Sequence, residues 1–215
     1  PGVAPPTAKI ARDPQVRAAG QSTVRVLGTA CGLGVEGSGW VAKSGEVVTN
    51  AHVVAGESDT TVQVQGTGPR HPAHAIWFDP RNDIAILRVG DVEGQVPPLQ
   101  INMNAQPGTS AAILGFPQNG PFDVQPARLG QTSVVRTQDA YGNGPVLRKI
   151  TSVRGLVRSG NSGGPVVDGA GRVVTTIFAA SVGRGQRTGF GVPDSVVANA
   201  LANANGEVGT GPCAH

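Results

Sequence analysis

The sequence predicts an all-β protein made of two β units of similar size, closed by one C-terminal helix. Three observations point there. Glycine and proline are abundant, 32 and 17 of 215 residues, which favours many short strands joined by tight turns over long helices. From residue 22 onward, apolar residues recur with period two or in short β-branched runs. The Pro97-Pro98 pair, followed by NAQPGT, breaks the chain around residues 95–108.

The elements follow in order. Residues 1–20 carry Pro1, Pro5, Pro6 and Pro14 and read as a linker entering a short helix at DPQVRAAG. The first unit, 21–105, opens with STVRVLGTA, and GSGWVAKSGEVVTNAHVV reads as two strands around a Lys43-Ser44-Gly45 turn. TTVQVQ alternates, HPAHAIWFD follows it, and DIAILRV is a short, nearly continuous apolar strand. The second unit, 106–205, contains SAAILGF, RLGQTSVVRTQ, PVLRKITSV, GPVVDGAGRVVTTIFAAS and RTGFGVP, with a hairpin turn at Asp168–Gly171. PDSVVANALANAN has a proline at its start, apolar residues at helical spacing and a glycine just after, so it is the closing helix. Residues 206–215 form a tail bearing Cys213.

Bulk properties narrow the function. The formal charge is +3, the basic residues are mostly scattered arginines, and aromatics make up only 4%. A nucleic-acid interface needs a basic run or stacking platforms, and neither is present. No apolar run approaches the ~18 residues needed to span a bilayer. PGVAPPTAKI also lacks a signal-peptide core, so the chain as it stands reads as a soluble piece.

The two cysteines, Cys31 and Cys213, lie near opposite ends and outside any C-x-x-C pattern, which argues against zinc or thioredoxin-type chemistry. They are either two buried free thiols or a disulfide closing nearly the whole chain. The chain-entropy model puts that closure at roughly 5 kcal/mol as an upper figure. The disulfide is the favoured reading, and it implies an oxidising, extracytoplasmic compartment.

The stretch RSGNSGGPVV places Ser162 among Gly160, Gly163 and Gly164. Glycines cost backbone entropy and pack nothing, so such a cluster needs a backbone reason. One reason is a tight turn; the other is a nucleophile whose flanking amides converge on one small space. A nucleophilic serine needs a base and a group to orient that base. Of the four histidines, His71 and His74 lie in a polar hairpin segment and His215 is the last residue, which leaves His52 in VVTNAHVV. Asp83 heads the apolar run DIAILRV, where a carboxylate is either a turn residue or paired. G-N-S-G-G also satisfies the nucleophile elbow of α/β-hydrolases, but that fold needs a helix directly after the serine, and acid and base later still. Here strand, turn and strand follow, and the elbow reading fails.

TNAHVV, NDIAILRV and SGNSGGPVV, in that order, resemble the chymotrypsin-like serine proteases, and more closely their HtrA-type branch. The resemblance covers residues 21–205. The cysteine pair, the proline-rich lead-in and the missing PDZ domain are similar to the mycobacterial periplasmic acid-resistance proteases, whose full-length members carry an N-terminal membrane region. The resemblance implies two six-stranded antiparallel β-barrels of the chymotrypsin type with a C-terminal helix. It implies a triad of His52 as general base, Asp83 as its orienting acid and Ser162 as nucleophile, with the amide N–H groups of Gly160 and Ser162 as oxyanion donors. Because the base must be neutral, activity should fall as pH drops through the histidine range, about 6.5 when unperturbed.

The resemblance further places Leu156 at the base of the pocket for the residue before the cut. Phe178, Ala179, Ala180, Gly189, Phe190 and Gly191 form its walls, and the alternative is that Leu156 and Phe190 are barrel core. An apolar base argues against cleavage after Arg or Lys. Asn161 stands where many relatives have the aspartate that pairs with a freshly cut N-terminus, so no activation by N-terminal insertion is expected. The implied function is extracytoplasmic peptide-bond hydrolysis in envelope stress or acid resistance. The partners are a protein or peptide substrate, with membrane contact only through a region outside this chain, and a monomer is favoured. No metal or organic cofactor is implied. The competing class is a catalytically silent or chaperone-like module that binds peptides by strand addition.

Overall fold

The computed structural model describes residues 2–181, 183 and 187–214. It has thirteen strands, three α-helices and short 3₁₀ turns among the described residues. β1 (Thr23–Ala30), β2 (Leu33–Lys43), β3 (Glu46–Thr49), β4 (Thr61–Val64), β5 (His71–Pro72), β6 (His74–Asp79) and β7 (Ile84–Arg88) form one antiparallel sheet in the order β5-β4-β1-β2-β3-β7-β6. β8 (Ser110–Gly115), β9 (Asp123–Thr137), β10 (Val146–Gly155), β11 (Pro165–Asp168), β12 (Val173–Ala180) and β13 (Thr188–Pro193) close into a six-stranded barrel. The first unit carries seven strands because the two-residue β5 adds to the edge at β4.

Each sheet buries its own apolar face, as an alternating strand must. Val24, Val26, Val41, Val47, Val62 and Leu87 fill the first, and Ile113, Leu129, Val153, Val166 and Ile177 fill the second. A third cluster lies between them, with Trp40, Ile84 and Ile86 from the first sheet meeting Leu114, Val167 and Val192 from the second. Trp40 is fully buried, and its indole N–H donates to Thr176 Oγ1 at 3.1 Å, tying β2 to β12.

Helix α1 (Pro14–Ala19) begins where Asp13 caps it, accepting from the amides of Gln15 and Val16. Its Val16 and Ala19, with Ile10 before it, are buried in the cluster between the sheets. The short helix expected at DPQVRAAG is thus present and buries its apolar residues, and Ile10 of the lead-in before it packs as core as well. AHVV, read as the end of a strand, is instead the four-residue helix α2 (Ala51–Val54). Helix α3 (Asp194–Asn203) closes the fold as expected and buries Val197, Ala200 and Leu201 in the same cluster. The break at 95–108 is held to both sheets, with Leu99 N–H on Val41 O and Val173 N–H on Gln100 O, each at 2.8 Å.

Cys31, in the turn after β1, is bonded to Cys213 in the tail, with Cα atoms 6.0 Å apart. The tail runs back over the residues after α2, where Gly56 N–H donates to Thr210 O at 3.1 Å.

Candidate active site

His52 lies on α2, directly after β3 has delivered the chain to the seam. Asp83 sits just before β7 with φ +57°, a left-handed conformation that aspartate tolerates better than most residues. The turn leading to it is organised by Asp79, whose carboxylate accepts from Asn82 N–H at 3.1 Å and Asn82 Nδ2 at 2.7 Å. Asn50 Nδ2 donates to Asp83 O at 2.9 Å and fixes the turn against the start of α2.

The two side chains meet in a two-point contact. Asp83 Oδ1 accepts the backbone N–H of His52 at 2.9 Å, and Oδ2 lies 2.7 Å from His52 Nδ1. The carboxylate is 5% exposed and the imidazole 23% exposed. An ionised carboxylate can only accept, so Nδ1 carries the proton and Nε2 presents a lone pair on the open side.

Ser162 approaches from the second barrel. Its carbonyl accepts Ser38 N–H at 2.8 Å, joining the serine loop to β2. A Cβ at Gly37 would lie 2.8 Å from the Val53 methyls and 3.1 Å from Ser162 O, so the serine backbone and the residue after His52 face each other across one glycine. Ser162 Oγ makes no hydrogen bond among the described residues. In unliganded hydrolases this contact is commonly long and tightens when substrate binds.

The amides around the serine divide into two sets. Those of Asn161, Gly163 and Gly164 are taken, by Arg158 O at 3.0 Å, Ile177 O at 2.8 Å and Asn161 O at 2.9 Å. The N–H groups of Gly160 and Ser162 have no acceptor among the described residues. Gly160 has φ +94°; the carbonyl of the peptide that carries its N–H, Ser159 O, accepts Gln118 N–H at 2.7 Å, so that N–H is turned the other way. Gly163 has φ +86°, and a Cβ there would run into Ser38 O and Thr49 Oγ1. Both positions require glycine for the loop to hold this shape.

Sequence reasoning missed Ser38. It is buried; its hydroxyl donates to Gly160 O and accepts Phe116 N–H at 3.0 Å, while its carbonyl accepts Thr49 Oγ1 at 2.8 Å. Set between two glycines, it looks like turn composition and carries no local signal. Asn161 is also fully buried, and its Oδ1 accepts Arg158 N–H at 2.9 Å. The N-terminal segment lies elsewhere, with Val3 O on Arg154 Nη1 at 2.6 Å and Pro5 O on Arg128 Nε at 3.2 Å.

The seven residues assigned to the substrate pocket do not face one space. Leu156 lines a cavity of about 570 Å³ together with Pro5, Pro126, Arg154, Arg187 and Thr188. Phe190 lines a different one, beside Gly130, Ile150 and Ser152. Consecutive strand residues face opposite sides, so Gly189 and Gly191 point away from Phe190. The Val157 side chain packs over Gly189, and Gly191 packs on Thr175. Ala179 and Ala180 pair with Phe190 and Gly189 at the end of β12. Phe178 packs against the cluster between the sheets, with the Arg148 guanidinium 4.1 Å over its ring. Of the other histidines, His71 Nδ1 lies 3.5 Å from Asp91, His74 is exposed, and His215 falls outside the described residues.

Residues 37–175, which span His52, Asp83 and Ser162, match the model of the trypsin-like peptidase domain, and the chain belongs to that family. It is 36% identical to serine protease Rv3671c of Mycobacterium tuberculosis H37Rv over 98% of its own length and 53% of the relative's. The chain thus spans about half the length of that relative. The crystal structure of the Rv3671c protease in its active form superposes with a TM-score of 0.91 at 35% identity, covering 99% of this chain and 94% of that one. The inactive form gives 0.82 at 33%, covering 96% and 100%. Serine protease HTRA1B of Danio rerio is 32% identical over 64% of this chain and 29% of the relative.

Proposed function

We propose that this chain is the catalytic domain of an extracytoplasmic serine endopeptidase acting through Ser162, His52 and Asp83. The observation that carries the reading is the pair of unbonded amides, Gly160 and Ser162, set among the bonded N–H groups of Asn161, Gly163 and Gly164. Buried backbone donors are rarely left without acceptors unless a ligand supplies one. The higher superposition on the active than the inactive form of the Rv3671c protease supports the same reading.

The chemistry follows from the proton inventory. His52 Nε2 takes the Ser162 Oγ proton as the oxygen attacks the peptide carbonyl, and the carbonyl oxygen gains the negative charge. Gly160 and Ser162 donate to it; losing one such donor typically costs about 2.7–4 kcal/mol of transition-state stabilisation. Asp83 holds Nδ1–H and stabilises the imidazolium, which then protonates the leaving amine. Water, deprotonated by the same imidazole, cleaves the acyl-enzyme and restores the serine. No step in this sequence needs a metal or an organic cofactor.

Substrates are protein or peptide, cleaved after a residue that is not basic. The non-basic preference rests on the resemblance, which puts Leu156 where a basic-specific relative would carry an aspartate. The Cys31–Cys213 bond supports a periplasmic or other extracytoplasmic site. Anchoring by a preceding membrane region, and a role in envelope stress or acid resistance, rest on the sequence resemblance alone.

A fluorophosphonate probe tests the reading. The wild-type chain should label at pH 6–8.5 and Ser162→Ala should not; equal labelling of both, or of neither, would leave a silent peptide-binding module.

A further inference from the structure

Arg148, on β10, is 5% exposed in a position where its neighbour Leu147 is 54% exposed. A strand that buries an arginine and exposes a leucine reverses the ordinary hydrophobic preference. Two of the three guanidinium nitrogens, Nε and Nη2, are buried without an acceptor. An apolar side chain of similar volume would fill this slot at lower cost to stability. The residue is therefore expensive for the fold, and its surroundings say what it serves.

The guanidinium lies between the two halves of the site. One face stacks on Phe178 of β12, 4.1 Å from the ring centroid. Nη1 donates to Arg81 O at 3.2 Å, in the turn that carries Asp83. The clamp is reciprocal, because Arg81 Nη2 and Nε donate to Leu147 O at 2.9 and 3.2 Å. A further bond, Ala140 N–H to Pro80 O at 2.8 Å, ties the same turn to the β9–β10 hairpin. Three carboxylates act on Arg148, those of Asp83 and Asp79 from the turn and Asp139 from the hairpin. Burial lowers its affinity for the proton, and these three anions oppose that effect, with Asp83 the largest.

We propose that Arg148 is a positioning residue for the Asp83–His52 pair, clamping the Asp79–Asp83 turn of the first sheet to β10 and β12 of the second and placing a fixed positive charge behind the acid. This rests on the hydrolase reading above. The left-handed conformation of Asp83 has to be held by its surroundings, and Arg148 supplies that restraint from the other barrel. A positive charge behind the acid opposes a second positive charge on the imidazole.

The test uses the intact chain with Arg148→Met, Arg148→Gln and Arg148→Lys. The His52 midpoint is followed by NMR, its ring signals assigned by their loss in His52→Gln, and kcat and KM are measured on a peptide ester. Neutralising Arg148 should raise the His52 midpoint by about half a pH unit or more. It should lower kcat about tenfold or more with little change in KM. Lys should restore the midpoint but recover kcat only in part, because an ammonium cannot both lie flat on Phe178 and reach the Arg81 carbonyl. A folded Met or Gln variant with wild-type midpoint and kcat overturns the proposal. Should neither neutral variant fold, wild-type kcat in the Lys variant overturns it. A wild-type chain that neither labels nor turns over sinks the hydrolase reading instead, and the NMR midpoint still decides the role of Arg148.

Discussion

The Ser38 hydroxyl donates to the Gly160 carbonyl at 2.7 Å, across 122 residues of sequence and from the first sheet into the barrel. A peptide unit is planar, and Gly160 has the freedom to let its neighbouring peptides flip. The hydrogen bond fixes the Gly160–Asn161 peptide, whose N–H turns back to Arg158 O at 3.0 Å, and so anchors the loop between its two unbonded amides. A side chain from the first sheet thus anchors the serine loop of the second.

Ser38→Ala removes this restraint and also leaves Phe116 N–H without its acceptor. The expected result is a fall in kcat of about 10- to 100-fold with KM nearly unchanged, since the loss falls on the transition state. Steady-state kinetics on a peptide ester measure it, and an unaltered kcat would remove Ser38 from the machinery.

Activity should not depend on the extreme N-terminus. Asn161 is buried, and its Oδ1 accepts the Arg158 N–H at 2.9 Å, with no part played by a terminal ammonium. A chain lacking residues 1–6 loses the contacts of Val3 and Pro5 with Arg154 and Arg128 but keeps Ile10, Val16 and Ala19 in the core. It should retain fluorophosphonate labelling within about threefold of the full chain, the scale of a small perturbation at a remote site. Complete loss of labelling would contradict this.

Stability should rise as pH falls from 8.5 to 5. Burial pushes the Glu57 carboxyl up to about 7, and burial, aided by Asp168, pushes Asp194 up to about 8. Both are raised above their unfolded values, so between those values and the folded ones the native state binds more protons than the unfolded chain. Unfolding free energy then decreases with rising pH across the window from roughly 4 to 8, by at most about 3 kcal/mol for Glu57 alone. Thermal melts in a pH series should show this slope, and Glu57→Gln with Asp194→Asn should flatten it.

Reducing Cys31–Cys213 should lower the unfolding free energy by about 3–5 kcal/mol. Guanidinium titrations of the native chain and of Cys31→Ser/Cys213→Ser measure the difference. The loss should also loosen the tail, whose Thr210 meets Gly56 and Glu57 just after α2.

The parts of this molecule legible in sequence were those where a backbone demand forces composition. Gly160 and Gly163 need positive φ, so the serine loop announced itself as a glycine string. His52 and Asp83 were legible through their order along the chain relative to Ser162, and the model brings His52 and Asp83 into direct contact. Other features left no local trace. The four-residue helix at Ala51–Val54 is too short to carry a period, and its His52 N–H is held by Asp83 Oδ1 from a distant turn. The first half of β9 was missed because Pro126, paired opposite Ala112, reads as a strand breaker. Nothing in PVLRKITSV marks Arg148 as buried; only the second sheet's contact with the Arg81 turn makes it interior. Pocket residues were the hardest to infer, because which face of β13 Phe190 occupies depends on register, and a one-residue step reverses it.

The bond between residues 31 and 213 turns nearly all of the chain into a covalent ring, with 182 positions separating its ends. A protease at work on unfolded or neighbouring copies of itself risks being nicked. In a ring, one nick anywhere between those cysteines opens a loop but releases no fragment, so the two barrels stay tethered at high effective concentration and can remain docked. Damage of that kind would pass unseen in a non-reducing gel and appear only once reductant separates the halves.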